Sequence, residues 1–143
     1  MHKLKDYPVV FTLPVQWGEQ DEFGHVNNVA YFRWCETARV IYLQRIGIWE
    51  FLQHSRIGCI MAHVGCNYRQ PVTFPDTVHI GARVTRIGKT SFRMEHAFFS
   101  DALGLVAEAD STIVVYDYAA NTPCPMPAEV RAAIEALEQH KIG

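Results

Sequence analysis

The pattern of apolar and polar positions divides the chain into a first strand, one long helix and a series of further strands. Alternation with a period of two runs from Val9 to Trp17 and returns between Ile60 and Tyr116. This period is typical of strands that bury one face. Between the two regions, apolar side chains recur at helical spacing over residues 28–46.

Four strands are predicted after the helix, because alternating apolar sets are separated by turn residues. The sets are Ile60, Ala62, Val64, Cys66 and Tyr68; Val78, Ile80, Ala82 and Val84; Phe92, Met94, His96 and Phe98; and the run from Leu105 to Tyr116. Turns are predicted at Gly88-Lys89 and over residues 101–104. The last run is apolar on both faces at its end, which predicts a position in the middle of a sheet. Short turns predict antiparallel pairing.

The long helix is predicted to be buried on most sides. One narrow stripe along the helix is mostly polar and consists of Arg33, Glu36, Thr37, Val40 and Gln44. Asn27 or Asn28 can cap its start, and Gly47 can end it. We expect a short second helix over residues 49–54 and an amphipathic C-terminal helix over residues 128–139.

One sheet around one helix is the compact arrangement of these elements. We predict an α+β fold in which a five-stranded antiparallel sheet wraps around the long helix, with a short C-terminal helix. Pro14 has no backbone N–H, which suits a strand at the edge of the sheet. Because no linker, repeat or low-complexity segment divides residues 1–143, a single domain is expected.

Composition narrows the class of function. The 143 residues are 49% hydrophobic and 20% charged, which is enough apolar material for a packed core. A formal net charge of −2 argues against a nucleic-acid binder, which needs a basic excess. No segment has the pattern of a signal peptide or a membrane span, so we expect a cytoplasmic protein without a membrane partner.

The cysteines give no sign of a metal or redox site. They are Cys35, Cys59, Cys66 and Cys124, and they form no CxxC pair. We therefore expect free, buried thiols in a reducing compartment. Asp21 and His25 lack a third ligand nearby in sequence, so no metal is expected there.

Polar residues that could take part in catalysis lie where the first strand leads into the long helix. Asp21 and Gly24 belong to the loop over residues 18–26, directly before Asn27 and Asn28. The N–H groups in the first turn of a helix have no intrahelical partner and can stabilise a developing negative charge. A neighbouring carboxylate can attack or deprotonate. A solvated acidic turn is the simpler interpretation of this loop taken alone.

Several segments resemble a known family. They are Asp21-Glu-Phe-Gly-His-Val-Asn-Asn-Val-Ala-Tyr-Phe, Glu36-Thr-Ala-Arg39, Tyr68-Arg-Gln-Pro-Val-Thr-Phe-Pro-Asp76, Gly88-Lys-Thr-Ser-Phe92, and Ala107-Glu-Ala to Val115-Tyr-Asp117. Together they closely resemble the hot-dog-fold thioesterases, in particular the 4-hydroxybenzoyl-CoA thioesterase family and its long-chain acyl-CoA thioesterase relatives. The resemblance implies a hot-dog fold and hydrolysis of an acyl-CoA thioester. Coenzyme A is then part of the substrate, and no cofactor is expected.

The resemblance also implies roles for single residues. Asp21 matches the catalytic carboxylate, which acts as nucleophile or general base, and the backbone N–H near Asn28 matches the oxyanion donor. His25 could orient Asp21 or help to bind the thioester carbonyl. It could equally hold the loop in place through backbone hydrogen bonds, and both interpretations stay open. Arg86 and Lys89 loosely match cations that hold the coenzyme A phosphates in some members.

Further residues are expected to contact the substrate, and the protein is expected to form an oligomer. Gly24, Phe23, Trp17 and residues 61–63 are candidates for the pocket, although the core is the simpler place for Trp17. In the family the site lies between two subunits, so a homodimer or homotetramer is expected. A single sheet around one helix also leaves strand edges that need covering.

Two other functions remain open from the sequence. The resembling hydratases and dehydratases have four residues between their aspartate and histidine, whereas three separate Asp21 from His25. The other alternative is a non-catalytic protein that binds acyl-CoA or an acyl carrier. The fold alone permits it, and the retained carboxylate argues against it.

Overall fold

The computed structural model describes residues 3–143, in which an antiparallel sheet curls around one long helix. In chain order the elements are β1 (Val9–Pro14), α1 (Asn28–Arg45), α2 (Ile48–Ser55), β2 (Ile57–Tyr68), β3 (Thr77–Ile87), β4 (Ser91–Ser100), β5 (Gly104–Asp117), β6 (Thr122–Pro123) and α3 (Ala128–Glu138). The predicted hot-dog arrangement is confirmed. None of the described helices combines the length and apolarity that crossing a membrane requires.

The strands follow the order β1-β3-β4-β5-β2, with β6 paired to the end of β5. Every pair is antiparallel. β5 lies between β4 and β2, as its two apolar faces predict. The five predicted strands are present, and the two-residue β6 is an addition in a proline-rich segment that gave no strand pattern.

Pro14 lies on an edge strand, with its nitrogen turned away from the sheet. The neighbouring Val15 N–H donates to the Asp76 carbonyl (2.8 Å), so Val15 points its N–H towards β3. Because N–H direction alternates along a strand, the nitrogen of Pro14 faces the open side of β1. The missing donor therefore costs no ladder hydrogen bond.

α1 buries most of its surface against the sheet. Its buried side chains include Ala30, Tyr31, Trp34, Cys35, Ala38 and Tyr42. Opposite them, Ile80, Met94 and Phe98 are fully buried on β3 and β4. Burying one such apolar side chain contributes about 1.5–3 kcal/mol. The predicted polar stripe is confirmed, since Arg33, Glu36, Thr37 and Gln44 are exposed.

The C-terminal helix is fixed to this core by one carboxylate. The Glu138 side chain accepts hydrogen bonds from the Tyr42 hydroxyl and from the Val84 N–H. Val84 lies where the pairing of β3 with β4 shifts register, so its N–H is free to bond outside the ladder. Val130 and Ile134 complete the contact as buried residues of α3.

The predicted alternation along β2 is wrong for its first half. The pairing of β2 with β5 shifts register between Met61 and His63, which is the signature of a β-bulge. An extra residue reverses the faces, so Val64 and Cys66 follow one alternation and Ile60 belongs to the other. Ile60 is accordingly exposed, and Met61, which lies at the register shift itself, is exposed as well.

Trp17 does not lie in the core. It begins a 3₁₀ turn at Trp17–Glu19, which ends the β1 alternation, and it is 71% exposed. Its ring meets Phe74 edge-on, with centroids 5.5 Å apart. A turn rotates successive side chains away from the period of two, and the sequence pattern did not reveal this turn.

Tyr7 covers the outer face of the sheet, opposite the helix. Its ring lies over Gly81, where any side chain would overlap it. The Arg83 guanidinium stacks on the same ring, 4.6 Å from its centroid. Tyr7 is buried as a result. The glycine is therefore required by the close approach of an aromatic ring.

A histidine and an arginine are buried between α1 and the sheet. His96 is 1% exposed, and neither ring nitrogen has a hydrogen-bond partner among the described residues. Arg39 is 8% exposed and donates from Nη1 to Cys35 Sγ (3.6 Å). Within residues 3–143 no ion pair joins Arg39 to Glu36, three positions earlier on α1.

The buried His96 predicts a loss of stability in acid. Burial is the larger cause and repulsion from Arg39 the smaller cause that together lower the pKa of His96 to about 3. The Gly81 carbonyl offsets part of this effect without forming a regular hydrogen bond. Between the ordinary pKa of about 6.5 and this value, the unfolded chain binds a proton that the folded chain does not. The free energy of unfolding should therefore fall as the pH drops below about 6.5, by up to about 1.4 kcal/mol per pH unit.

Denaturant titrations at a series of pH values measure this slope. In His96→Met the slope should flatten, because the buried titrating group is gone. His140→Gln is the matched control, since His140 is exposed near the C-terminus. An unchanged slope in His96→Met would show that other groups govern the acid response.

Candidate active site

The loop before α1 is a tight turn that places Asp21 at its start. The Asp21 N–H donates to the His25 carbonyl (2.7 Å), and the Gly24 N–H donates to the Asp21 carbonyl (3.0 Å). Gly24 has a φ of +78°, a conformation that glycine adopts without strain. Gln20 and Val26 form a bridge just outside the turn. Gly24 therefore contributes conformation, and its Cα faces open space.

One oxygen of the Asp21 carboxylate is anchored and the other is free. Oδ1 accepts hydrogen bonds from the N–H groups of Phe23 (2.9 Å) and His25 (3.3 Å). Oδ2 has no hydrogen-bond partner in the part of the chain that the structure describes. The anchored oxygen fixes the direction of the group, so the free oxygen is available to a bound molecule.

The other two acids of the loop have different surroundings. Glu19 accepts from the Gln16 N–H (2.7 Å) and from the Trp34 indole (3.0 Å), and its carbonyl accepts from the Asn27 N–H (2.8 Å). It therefore ties the loop to α1. Glu22 is exposed and lies outside the cleft described below. Asp21 alone of the three lines the cleft.

The first turn of α1 leaves one N–H group available. Asn27 is the N-cap, and its side chain accepts from the Val29 N–H (3.0 Å). The Ala30 N–H donates to the Asn27 carbonyl (2.9 Å). The Asn28 N–H has no acceptor among residues 3–143. Of the two asparagines considered as caps, Asn27 has that role and Asn28 presents its backbone.

Asp21 and Asn28 line the same cleft, which has a volume of about 420 Å³. The full lining is Asp21, His25, Val26, Asn28, Tyr31, Tyr68, Arg69, Gln70 and Pro71. One wall comes from the loop and the start of α1, and the other follows from the end of β2. Asp21 and Asn28, which carry the free carboxylate oxygen and the amide without an acceptor among the described residues, therefore belong to the same wall.

Tyr31 forms the interior wall of the cleft and packs among other aromatic rings. It is 3% exposed, and its ring packs against those of Tyr68 (4.9 Å between centroids), Trp34 (5.3 Å) and Phe98 (5.5 Å). Burial raises the pKa of Tyr31 to about 12, so its phenol is protonated at neutral pH. It can offer apolar surface and a hydroxyl, and it cannot act as a base.

The opposite wall is held by the start of β5. The N–H groups of Arg69 and Gln70 both donate to the Val106 carbonyl (2.8 and 3.2 Å). The Arg69 guanidinium pairs with Glu108 (2.7 Å) and stays half exposed. This wall was not predicted as part of the site, although the segment from Tyr68 to Asp76 was one of those carrying the family resemblance.

The remaining predicted substrate contacts lie outside the cleft. Phe23 is 76% exposed at the tip of the loop, and Trp17 lies on the surface beside Phe74. Arg86 and Lys89 line a separate cleft of about 430 Å³ at the β3–β4 turn. Residues 61–63 lie on the exposed stretch of β2. In the described protomer the structure therefore joins Asp21, His25 and Asn28, and no other predicted site residue.

The described residues contain no group of three or more His, Cys, Asp or Glu side chains arranged to hold a metal ion. The four cysteines are free. Burial raises the pKa of Cys35 to about 11 and that of Cys59 to about 12. Both are therefore protonated, weakly reactive thiols at neutral pH.

Comparison with known proteins identifies the same fold and a common family. Residues 15–134 match the model of a family described as the thioesterase-like superfamily. The chain is 24% identical to the long-chain acyl-CoA thioesterase FadM of Escherichia coli K12 over 118 residues, which are 82% of this chain and 89% of that protein.

Solved structures of other proteins have a fold similar to that of this chain. A thioesterase from Thermus thermophilus, complexed with coenzyme A and Zn, has a TM-score of 0.84 and 29% identity, covering 96% of this chain and 99% of the other. The PA5185 protein of Pseudomonas aeruginosa PAO1 has a TM-score of 0.79 and 30% identity, with 94% of each chain covered.

The cap of α1 gives a stability prediction. Asn27→Ala removes the side-chain acceptor of the Val29 N–H, and the free energy of unfolding should fall by about 1 kcal/mol. Asn28→Ala is the matched control, because the neighbouring residue contributes only its backbone here. Denaturant unfolding of both variants measures the difference. Equal losses would contradict the assignment of the cap to Asn27.

Proposed function

The chain belongs to the thioesterase-like superfamily, and from this we propose that it hydrolyses an acyl-CoA thioester to the free acid and coenzyme A. One observation carries the proposal: Asp21, which has a free carboxylate oxygen, and Asn28, whose backbone N–H has no acceptor among the described residues, line one cleft. Thioester hydrolysis needs both groups, since it requires attack on a carbonyl carbon and stabilisation of the resulting oxyanion.

Asp21 is the reacting carboxylate in this proposal. In one route Oδ2 attacks the thioester carbon, the C–S bond breaks, and water then hydrolyses the mixed anhydride. In the other, Asp21 accepts a proton from a water molecule that attacks the same carbon. Two backbone N–H groups hold Oδ1 in both routes, so the carboxylate needs little reorganisation during the reaction.

The Asn28 N–H is the proposed oxyanion donor. Its place at the start of α1 adds the partial positive charge of the helix N-terminus to the hydrogen bond. Loss of one preorganised donor of this kind typically costs roughly 3–4 kcal/mol of transition-state stabilisation. The N-cap side chain of Asn27 keeps this first turn formed without occupying the Asn28 N–H.

His25 lines the cleft and holds the Asp21 carboxylate through its backbone. The ring has no hydrogen-bond partner among the described residues, which leaves it available to a thioester carbonyl. The proposal therefore includes both roles considered from the sequence, one in holding the loop and one in contacting the substrate. The loop histidine orients Asp21 by its N–H group and offers its imidazole to the substrate.

The coenzyme A phosphates are proposed to bind at the β3–β4 turn. Arg86, Lys89 and Arg93 line one cleft there. Arg86 and Arg93 are register partners on neighbouring strands, which concentrates positive charge. Arg93 also lies 3.5 Å from Glu95 and 3.7 Å from Asp110, so part of its charge is balanced. Lys89 and Arg86 have no ion-pair partner within residues 3–143.

Assembly into at least a dimer belongs to the same proposal. β2 is a 12-residue edge strand, and Ile60 and Met61 are exposed on it. Val29 and Phe32 are exposed on α1 near the cleft. Unpaired strand edges and exposed apolar side chains favour association. A second protomer would enclose a cleft that is open in one protomer, and could bring Phe23, Trp17 or the basic turn towards the substrate.

Asp21→Asn tests the central assignment. The amide keeps the shape of the side chain and loses its charge, so kcat for thiol release from acyl-CoA should fall roughly 10²- to 10⁴-fold. Release of coenzyme A is followed with a thiol-detecting dye over short, long, branched and aromatic acyl groups. Binding of acyl-CoA, measured by calorimetry, should change little.

Glu22→Gln is the matched control for that experiment, because it removes a carboxylate from the same loop outside the cleft. It should keep near-normal kcat. Turnover of Asp21→Asn close to that of the native chain would remove Asp21 from the mechanism. Tight binding without thiol release by the native chain would favour a carrier protein, and hydration of an enoyl-CoA would favour a hydratase.

Lys89→Ala tests the phosphate contact. An exposed charge contact contributes on the order of 1 kcal/mol, so KM for acyl-CoA should rise about fivefold while kcat is unchanged. The same acyl group on N-acetylcysteamine lacks the phosphates, and its KM should stay constant. Lys141→Ala, an exposed lysine elsewhere, is the control. Equal effects on both thioesters would place the phosphates at another surface.

A further inference from the structure

Three polar side chains form a chain of hydrogen bonds on the outer face of the sheet, separate from the cleft. Thr12 Oγ1 lies 2.8 Å from His79 Nδ1, and His79 Nε2 lies 2.8 Å from Asp101 Oδ1. Thr12 belongs to β1, His79 to its partner strand β3, and Asp101 to the turn between β4 and β5. Thr12 and Asp101 are exposed, and His79 is partly buried between them.

Donor and acceptor rules fix the direction of these bonds. An ionised Asp101 can only accept, so His79 Nε2 carries the hydrogen. In the neutral ring Nδ1 is then an acceptor, and it accepts the hydrogen of the Thr12 hydroxyl. The order is that of an activated nucleophile: a hydroxyl bound to an imidazole whose other nitrogen is oriented by a carboxylate.

The sheet geometry supports this contact. Val15 donates its N–H to Asp76 across the β1–β3 pair, so alternate residues back to Val9 do the same. Thr12 and His79 are therefore opposite each other in a non-hydrogen-bonded pair, where facing side chains come closest. The contact follows from the backbone register and does not depend on a flexible loop.

The same alternation leaves the Thr12 N–H pointing away from β3. β1 is the last strand of the sheet, and among residues 3–143 no strand pairs with its outer side. A backbone N–H beside a nucleophilic oxygen can donate to the oxyanion formed when that oxygen attacks a carbonyl. The Thr12 hydroxyl, in contact with the imidazole of His79, thus belongs to a residue whose backbone N–H points to the open edge of the sheet.

We propose that Thr12 is a second nucleophile, which accepts an acyl group from an activated thioester or aryl ester. Thr12 Oγ1 bonds to the carbonyl carbon while its proton passes to His79 Nδ1. The bond from that carbon to the leaving sulfur or oxygen then breaks, and the leaving group takes the proton from the imidazolium. The products are an ester on Thr12 and a free thiol or phenol. Asp101 is a positioning residue, which keeps the imidazole in the required tautomer.

Acetylation by p-nitrophenyl acetate at neutral pH tests the proposal on the full chain. Peptide mapping by mass spectrometry should find an acetyl ester on Thr12. His79→Gln should slow formation of that ester at least tenfold, and Asp101→Asn should slow it to a smaller extent. Thr12→Ser should retain it, because the hydroxyl remains. The exposed Thr73 and Thr85, which have no imidazole partner among the described residues, are internal controls.

The outcomes separate this site from a purely structural histidine. A structural contact would change the thermal midpoint of His79→Gln without changing the labelling of Thr12 relative to Thr73 and Thr85. No ester on Thr12, or equal labelling of all three threonines, would overturn the proposal. If His79→Gln does not fold, Asp101→Asn gives the same comparison from an exposed turn. Thr12→Val should leave thiol release from acyl-CoA unchanged, so the result is independent of the role of Asp21.

Discussion

A helix cannot satisfy the N–H groups of its own first turn, and the site depends on which of them are satisfied by other means. In α1 the Asn27 side chain takes the Val29 N–H, and the Asn27 carbonyl takes the Ala30 N–H. Of the N–H groups in this turn, the Asn28 N–H remains without an acceptor among residues 3–143, and Asn28 lines the cleft. The cap and the proposed oxyanion donor are thus two results of one local constraint.

That arrangement is connected to the core through Glu19. Its two carboxylate oxygens and its carbonyl reach Gln16, the indole of Trp34 and the N–H of Asn27. Trp34 is buried beneath the sheet, so the loop takes its position from the packed interior. Glu19, whose two carboxylate oxygens are both hydrogen-bonded, is structural, whereas Asp21 keeps one uncommitted oxygen. Hydrogen-bond accounting separates two carboxylates that are alike in sequence.

The sequence predicts the fold well where local pattern and final geometry agree. The alternating residues of β3 and β4 are buried as predicted, and α1 begins and ends within a residue of its predicted bounds. The prediction from the sequence fails at the bulge in β2 and at Trp17. A bulge and a 3₁₀ turn each change the side-chain direction without requiring a distinctive residue type. For the site, Asp21 and Asn28 are close in sequence and could be proposed together. Their opposite wall comes from residues 68–71, which only the tertiary fold brings near.

The contact of Tyr7 with Gly81 limits how these two positions can evolve. A methyl group at position 81 would occupy the space of the aromatic ring, and displacing the ring would also remove the stack on Arg83. Gly81 therefore cannot gain a side chain while Tyr7 keeps its place. Homologous chains are therefore expected to show correlated substitution at these positions, with a bulkier residue on the strand only where the residue preceding β1 is small. Substitutions in the segment before β1 are in this way expected to depend on substitutions in the sheet that this segment covers.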